Sequence, residues 1–193
     1  MNISFTKGNW EHFFDYAYTW RFPEKPKFLQ EENCIVNVKG DTFDHYGGYG
    51  FTSILLKEPY GPGTKVTFTA SFENSGAPLL VIAEALDRDD QGVLRFGNYQ
   101  EVVLWKNGVN VWDFLMENGE IKIEWLLRNE FPLEPGTPHT ITVELETQRL
   151  KIRLREHFFE LQVPRLPEKA YIGITACEGL NRFYQLEIES PQM

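Results

Sequence analysis

Polar and charged side chains recur along residues 99–129, on three successive segments of strand type. They are Gln100, Asp113, Lys122, Glu124 and Arg128. Side chains of a strand alternate between its two faces, so these five residues are predicted to share one face of a sheet. Amide, carboxylate and ammonium groups held side by side can exchange hydrogen bonds with sugar hydroxyls. The pattern therefore predicts that this face meets water or a polar ligand, of which a saccharide is one candidate.

A sugar ring also packs against aromatic side chains, and the sequence offers candidates in two predicted loops. The segment 41–50, DTFDHYGGYG, is rich in glycine and tyrosine. Loops often carry the binding residues of a protein. We expect Tyr46 and Tyr49 in this loop, together with Trp20 in the preceding one, to supply the aromatic platform.

Two Asn-Gly pairs, at 107–108 and 118–119, determine how the three segments pair. Asn-Gly between strand-like runs is the strongest local signal for a two-residue hairpin turn, because both turn residues need positive φ. Strands are predicted over 99–106, 109–117 and 120–128. In this register Val103 lies opposite Trp112, Trp112 lies opposite Trp125, and Asp113 lies opposite Glu124.

The other face of these three strands carries large apolar side chains and is predicted to be the core. Trp112 and Trp125 are expected to stack on each other between two sheets. A β-bulge would shift the assignment by one residue and exchange the faces. The predicted core face consists of Val103, Trp105, Trp112, Phe114, Ile121, Ile123, Trp125 and Leu127.

Short strand-like segments follow one another along the rest of the chain. Residues 65–73, 139–146 and 150–155 alternate apolar and polar side chains, whereas 79–86 is mostly apolar and is predicted to be a central strand. Residues 87–97 are predicted to be a polar loop. About a dozen such strands, with no long helix, predict one all-β domain over 1–193, a two-sheet antiparallel β-sandwich.

Composition narrows the possible partners. The net charge is −9 at pH 7, which argues against nucleic acid or an anionic membrane as a partner. No signal peptide or membrane span is evident, so a cytoplasmic location is expected. Cys34 and Cys177 are expected to be buried free thiols. No metal motif is present and the acidic loop 87–92 lacks a full calcium ligand set, so no cofactor or metal is expected.

The closing segment 170–189, AYIGITACEGLNRFYQLEIE, has a Gly-containing strand, a loop and an aromatic-led strand. With the strand pattern of the whole chain, it resembles the final two strands of the concanavalin A-like lectin/glucanase superfamily, in particular a bacterial member. The resemblance implies a jelly-roll sandwich in which a concave sheet packs on a convex one. It also implies lectin-like carbohydrate binding on the concave face.

A sharper local similarity lies at 120–125, EIKIEW, which resembles the E-[ILV]-D-x-E strand of family 16 glycoside hydrolases. The resemblance implies that Glu120 is the nucleophile and Glu124 the acid/base, while Lys122 stands where the family has a helper Asp. The α-carbons of Glu120 and Glu124 should lie roughly 13 Å apart along a strand. Asp113 is an alternative partner for Glu124.

Three functions follow as alternatives. Saccharide binding is the favoured hypothesis. A glycoside hydrolase-like enzyme using paired carboxylates is the second, and a structural or protein-interaction sandwich without a small ligand is the third.

Overall fold

Two sheets account for most of the chain that the structure describes. The computed structural model describes residues 1–6, 8, 10–18, 27–38, 51–73, 75–84, 86–88, 90, 92, 94–118 and 120–191. The strands are β1 (Asn2–Ser4), β2 (Phe14–Tyr18), β3 (Phe28–Gln30), β4 (Ile35–Asn37), β5 (Thr52–Tyr60), β6 (Lys65–Glu73), β7 (Ala77–Ala83), β8 (Leu86–Arg88), β9 (Leu94–Phe96), β10 (Tyr99–Trp105), β11 (Gly108–Glu117), β12 (Glu120–Glu130), β13 (His139–Glu146), β14 (Arg149–Leu154), β15 (His157–Gln162), β16 (Ala170–Cys177) and β17 (Leu180–Glu189). A 3₁₀ turn spans Glu11–Phe13.

The smaller sheet has eight strands, in the order β15-β14-β13-β6-β17-β4-β3, with β1 added beside β17. The larger sheet has nine, in the order β12-β11-β10-β7-β16-β5-β2-β9-β8. The pairings are antiparallel except that of β2 with β9. The predicted all-β sandwich is therefore confirmed.

The alternating segments bury the side chains that the pattern predicts. Val66, Phe68, Ala70 and Phe72 of β6 are buried, and every residue of β7 is buried, as expected of a central strand. Strands β13 and β14 contribute their alternate aliphatic residues to the same core. Since β-branched and large apolar side chains fit a pleated surface, this core follows from the period-two pattern.

The second Asn-Gly hairpin has the predicted register. Glu117 pairs with Glu120, Asp113 with Glu124 and Trp112 with Trp125. Asn118 has a φ of +54°, as the turn requires. The predicted pairing of these two strands is correct up to Trp125.

The first hairpin pairs two residues away from the predicted register. Its turn is Lys106 and Asn107, and Gly108 already pairs as a strand residue with Trp105. The chain after β12 explains the shift: the N–H groups of Phe131 and Leu133 donate to the carbonyls of Asn107 and Lys106. Gly108 has an unusual φ of +130° although it lies outside the turn. Glycine is needed there because a Cβ would lie 2.3 Å from the carbonyl oxygen of Asn129 on the next strand. An even shift leaves the faces of the strands unchanged.

The prediction of which face is the core was wrong. Val102, Leu104, Val109 and Val111 are fully buried and belong to the core between the sheets. The tryptophan face of β10–β12 lies on the outer side of the larger sheet, where Val103, Trp105, Trp112 and Phe114 belong to a second apolar cluster. Register determines which side chains share a face, but the partner sheet decides which face is covered, and here it packs on the aliphatic one.

A β-bulge between Val111 and Trp112 adds a further change. Val111 pairs with Leu127 and Trp112 with Trp125, so Leu126 is the extra residue on β12. Beyond the bulge, Arg128 pairs with Asn110 and therefore lies on the tryptophan face. The β12 residues after the bulge, Leu127 and Arg128 among them, therefore lie on the opposite faces from those that uninterrupted alternation from Trp125 predicts.

Two short strands replace part of the predicted polar loop. β8 and β9 pair antiparallel across residues 86–96, and Leu94 and Phe96 are buried. Strand β3 was not predicted either. Cys34 and Cys177 are buried thiols and do not form a disulfide, as expected. Burial and the neighbouring Glu31 carboxylate raise the pKa of the Cys34 thiol to about 12.

The buried His139, at the start of β13, is hydrogen-bonded to two neighbouring segments of the chain. The imidazole of His139 accepts a hydrogen bond at Nδ1 from Arg155 (3.1 Å), which leaves Nε2 to donate to the carbonyl of Glu134 (2.9 Å). Burial lowers the pKa of His139 below its ordinary 6.5. The folded protein therefore favours the neutral ring.

Within the described residues, no helix is long and apolar enough to cross a membrane. Over the same residues, no group of three or more His, Cys, Asp or Glu side chains is arranged to hold a metal ion.

Candidate saccharide-binding groove

An open groove of about 630 Å³ lies on the outer face of the larger sheet, where β10, β11, β12 and β7 adjoin the turn after β16. This volume is in the range of small-molecule sites. Its apolar lining comes from Ala77, Leu79, Val103, Trp105, Trp112, Phe114, Ile123, Trp125 and Cys177. Its polar lining comes from Ser75, Glu101, Asn110 and Glu178.

Two stacked tryptophans form one wall. The rings of Trp112 and Trp125 lie 4.4 Å apart at an interplanar angle of 10°, because the residues are direct cross-strand partners. Trp125 is 41% exposed. The predicted contact between the two rings is therefore present, but it lies in the groove rather than between the sheets.

Arg128 extends this wall. Its guanidinium carbon lies 4.7 Å from the centre of the Trp125 ring, a cation–π arrangement. It also donates from Nε to Glu130 Oε1 at 2.8 Å. The bulge at Trp112 makes this possible, since it turns Arg128 to the groove face.

A third tryptophan stands at the far end of β10. With the Asn110 amide oriented so that its oxygen faces the indole, Asn110 accepts a hydrogen bond from Trp105 Nε1 at 3.3 Å. Both residues line the groove. Asn110 is buried and pairs with Arg128, and its bond to Trp105 holds the amide in the lining of the groove.

Glu101 sits in the floor of the groove. Strand alternation places it on the same face as Val103 and Trp105, and it pairs directly with Trp112. Its exposed fraction is 6%. Its side chain therefore lies among the indole and aliphatic side chains that line the groove.

Glu178 enters the groove from the turn between β16 and β17. Its φ is +57°, uncommon for a residue with a side chain. The buried amide of Asn181 donates to the carbonyls of Cys177 (3.1 Å), Glu178 (3.0 Å) and Gly179 (3.3 Å). Asn37 donates to the Gly179 carbonyl from the other sheet, at 2.9 Å. These bonds hold the turn, and with it the position of Glu178.

Two residues of the predicted polar face are buried on the inward side of the larger sheet instead. Gln100 Nε2 donates to Asp113 Oδ1 at 2.8 Å. Arg165 donates to Asp113 Oδ2 from Nε (3.1 Å) and from the terminal nitrogen (2.6 Å). The Asp113 carboxylate raises the pKa of Arg165. The prediction that Gln100 and Asp113 face a ligand was wrong, because their face is the one that the second sheet covers.

The predicted polar residues of β12 divide between the two faces. Glu120, Lys122 and Glu124 share the side of Asp113 and point away from the groove, whereas Arg128, beyond the bulge, lies on the groove face. Glu124 accepts from Arg165 at 2.9 Å. Lys122 pairs with Glu117 and lowers the pKa of that carboxyl. The family-16-like pair therefore does not meet in the groove. The remaining predicted platform residues, Tyr46, Tyr49 and Trp20, lie outside the described residues.

The sequence contained signals for the groove that the prediction did not use. Glu101 has the same parity as Val103 and Trp105, which places a carboxylate on a face of large apolar side chains. Such a mixture is typical of a binding face and unusual for a core. Glu178 gave no such signal, because only the turn between β16 and β17 carries it to the groove.

The two sheets pack on each other through one continuous apolar core, and the larger sheet carries an open groove on its other face. This is the arrangement of the concanavalin A-like jelly-roll fold. No family model matches the chain, and no curated protein matches it by sequence. Solved structures do match in three dimensions.

The carbohydrate-binding module CBM66 from Bacillus subtilis superposes with a TM-score of 0.66 at 13% identity, covering 92% of this chain and 96% of the module. A glycoside hydrolase family 16 endo-glucanase from Bacteroides ovatus gives 0.66 at 9% identity, with 98% and 99% covered. A homodimeric agglutinin from chicken liver gives 0.52 at 13% identity, with 71% and 99% covered. At these identities the likeness establishes the fold.

Proposed function

We propose that the protein binds a saccharide in the groove on the outer face of its larger sheet. The observation that carries the proposal is the stacked pair Trp112 and Trp125, which stands open to solvent beside buried polar groups. Sugar rings present a C–H face that packs on an indole, while their hydroxyls take hydrogen bonds in the ring plane. Glu101, Asn110 and Glu178 offer such bonds.

The apolar groove also argues against a purely structural role. Trp125 and Ile123 are both more than 40% exposed on one face of an edge strand. Exposed apolar groups gathered in a concave site, rather than scattered, are characteristic of binding surfaces. Three solved structures of the same fold are named for carbohydrate binding, glucan hydrolysis or agglutination, which supports a sugar as the ligand.

The test is a glycan array followed by calorimetry, with the variants Trp125→Ala and Trp112→Ala. Each should reduce the affinity at least about tenfold, in line with a loss of about 1.4 kcal/mol or more. Phe158→Ala is the matched control, since Phe158 is a 52% exposed aromatic residue on β15 of the other sheet. It should leave the affinity unchanged.

Two other outcomes would redirect the proposal. Equal affinities for the wild type and both tryptophan variants would place the sugar outside the groove. A wild type that binds no glycan would favour the protein-interaction alternative.

A hydrolytic function has one observation in its favour: two carboxylates, Glu101 and Glu178, line the same groove. Glycoside hydrolysis needs such a pair, one as acid and one as nucleophile or base. Incubation with a chromogenic glycoside library tests it, with Glu101→Gln as the inactive control. Release of chromophore by the wild type alone would establish hydrolysis.

A further inference from the structure

The outer edge of β12 pairs with no strand among the described residues. β12 is the last strand of the larger sheet and is 11 residues long. Proteins usually protect such an edge with a short strand, a proline, a bulge or a covering segment. Residues 120–125 contain no proline, and the bulge begins only at Leu126. Ile123 and Trp125 are 44% and 41% exposed, so this part of the edge is open to solvent.

The backbone groups of every second residue point out from this edge. Glu117 pairs with Glu120 at the hairpin between β11 and β12. Residues that flank a two-residue turn exchange hydrogen bonds, and along an antiparallel pair they alternate with residues that do not. Every second residue from Glu120 therefore bonds to β11. The residues between them direct their N–H and C=O groups away from β11; they are Ile121, Ile123 and Trp125.

The charged side chains at this edge are complementary to those of a second copy. Two antiparallel copies of β12 related by a two-fold axis at Ile123 bring Lys122 of each copy opposite Glu124 of the other. Such a pair is not hydrogen-bonded through the backbone, and its α-carbons lie about 4.5 Å apart, so the side chains meet. An axis at Lys122 or at Glu124 would instead bring like charges together. The order of the charges therefore favours one register.

Both charged side chains are accessible to a second copy. Lys122 is 64% exposed beside Glu117, and Glu124 is 63% exposed beside Arg165. Ion pairs at such exposure are weak, so each side chain can share its present partner or exchange it.

The other face of the same edge supplies apolar contacts. In this register Ile123 lies opposite Ile123 of the second copy, and Trp125 lies opposite its Ile121. Contact between these side chains removes exposed apolar surface from water. The two larger sheets become one continuous sheet, and the two grooves lie side by side on the same face.

We propose that the protein forms a homodimer through this edge, in which β12 pairs antiparallel with β12 of a second copy about a two-fold axis at Ile123. The open backbone groups supply the hydrogen bonds, and the pairs between Lys122 and Glu124 fix the register. The proposal is independent of the ligand of the groove.

Sedimentation velocity of the full chain measures the association. Because the pairing of two edge strands buries a small area, we expect a dissociation constant of roughly 1–100 μM. The wild type should therefore pass from monomer to dimer as its concentration rises. A wild type that stays monomeric up to about 200 μM would overturn the proposal.

Charge reversal tests the register. Lys122→Glu leaves two carboxylates at the contact, and Glu124→Lys leaves two ammonium groups, so each variant alone should dimerise at least about tenfold more weakly. An equimolar mixture of the two variants should dimerise as the wild type does, because every charge then meets its opposite. Lys65→Glu is the matched control, since Lys65 is also an exposed lysine paired with a glutamate, but lies on β6 of the other sheet. It should leave the dimer unchanged.

Two further results would contradict the proposal. A dimer that neither reversal weakens would place the contact on another surface. Two reversal variants that remain monomeric when mixed would show that the reversals act on each chain by itself and not across an interface. Far-UV circular dichroism of each variant confirms that the chain is folded before it is mixed.

Discussion

Replacement of Asp113 by Asn distinguishes the groove from the polar face that the sequence favoured. If Asp113 contacted a sugar, the variant would weaken binding and leave the fold intact. In the structure the Asp113 side chain is 3% exposed and accepts from Gln100 and twice from Arg165. The variant should therefore lower stability and leave sugar affinity unchanged.

The size of the effect follows from those three hydrogen bonds. An Asn keeps the acceptor for Gln100, but its amide nitrogen cannot accept from Arg165 and it has no charge. Hydrogen bonds to charged groups contribute about 1.5–3 kcal/mol, more than neutral ones. Because Arg165 is 45% exposed and can find water, we expect a loss of about 2 kcal/mol rather than the larger value for a fully buried pair.

Urea denaturation measures the loss, with Glu124→Gln as the matched control. Glu124 accepts from the same Arg165, but its side chain is 63% exposed, so the control should cost at most about 0.5 kcal/mol. In an Arg165→Ala background Asp113→Asn should cost clearly less, since the shared partner is gone. A loss below about 0.5 kcal/mol for Asp113→Asn, or a fall in sugar affinity without unfolding, would refute the reasoning.

Three further predictions concern the fold. Trp112→Ala should cost about 1–2 kcal/mol in urea denaturation, below the 3–5 kcal/mol of a core aromatic, because the ring stands in an open groove; a loss above about 3 kcal/mol would contradict this. Since burial lowers the pKa of His139, its contribution to stability is present above pH 6.5 and is lost as the pH falls below that value; thermal melts from pH 7.5 to 5 should show a flatter pH dependence for His139→Gln. Gly108→Ala should lower the free energy of unfolding by at least about 2 kcal/mol, because the φ of Gly108 is +130° and a Cβ there would lie 2.3 Å from a carbonyl oxygen. Gly136→Ala is the control, since Gly136 has a φ of +78° with open space around it and the change should cost about 1 kcal/mol. Equal losses at the two positions would show that the contact at Gly108 is unimportant.

The sequence by itself determined the sandwich, most of its strands and one hairpin register. Alternation along 65–73 and 139–146 is a local property of the chain, and so is the turn preference of Asn118. Trp112 and Trp125 become neighbours through that turn alone. The pairing of two rings could therefore be predicted without knowing the rest of the fold.

Only the tertiary structure decided which face of those strands is covered. The face of Val102 and Leu104 and the face of Trp105 are both apolar, so hydrophobicity could not choose between them. The choice depends on the apolar surface that the other sheet presents, and that surface is built from strands distant in sequence. The bulge beside Trp112 and the turn carrying Glu178 likewise depend on long-range pairing. The groove therefore depends on the tertiary structure. The sequence shows which residue types are available, but not that they come together in one site.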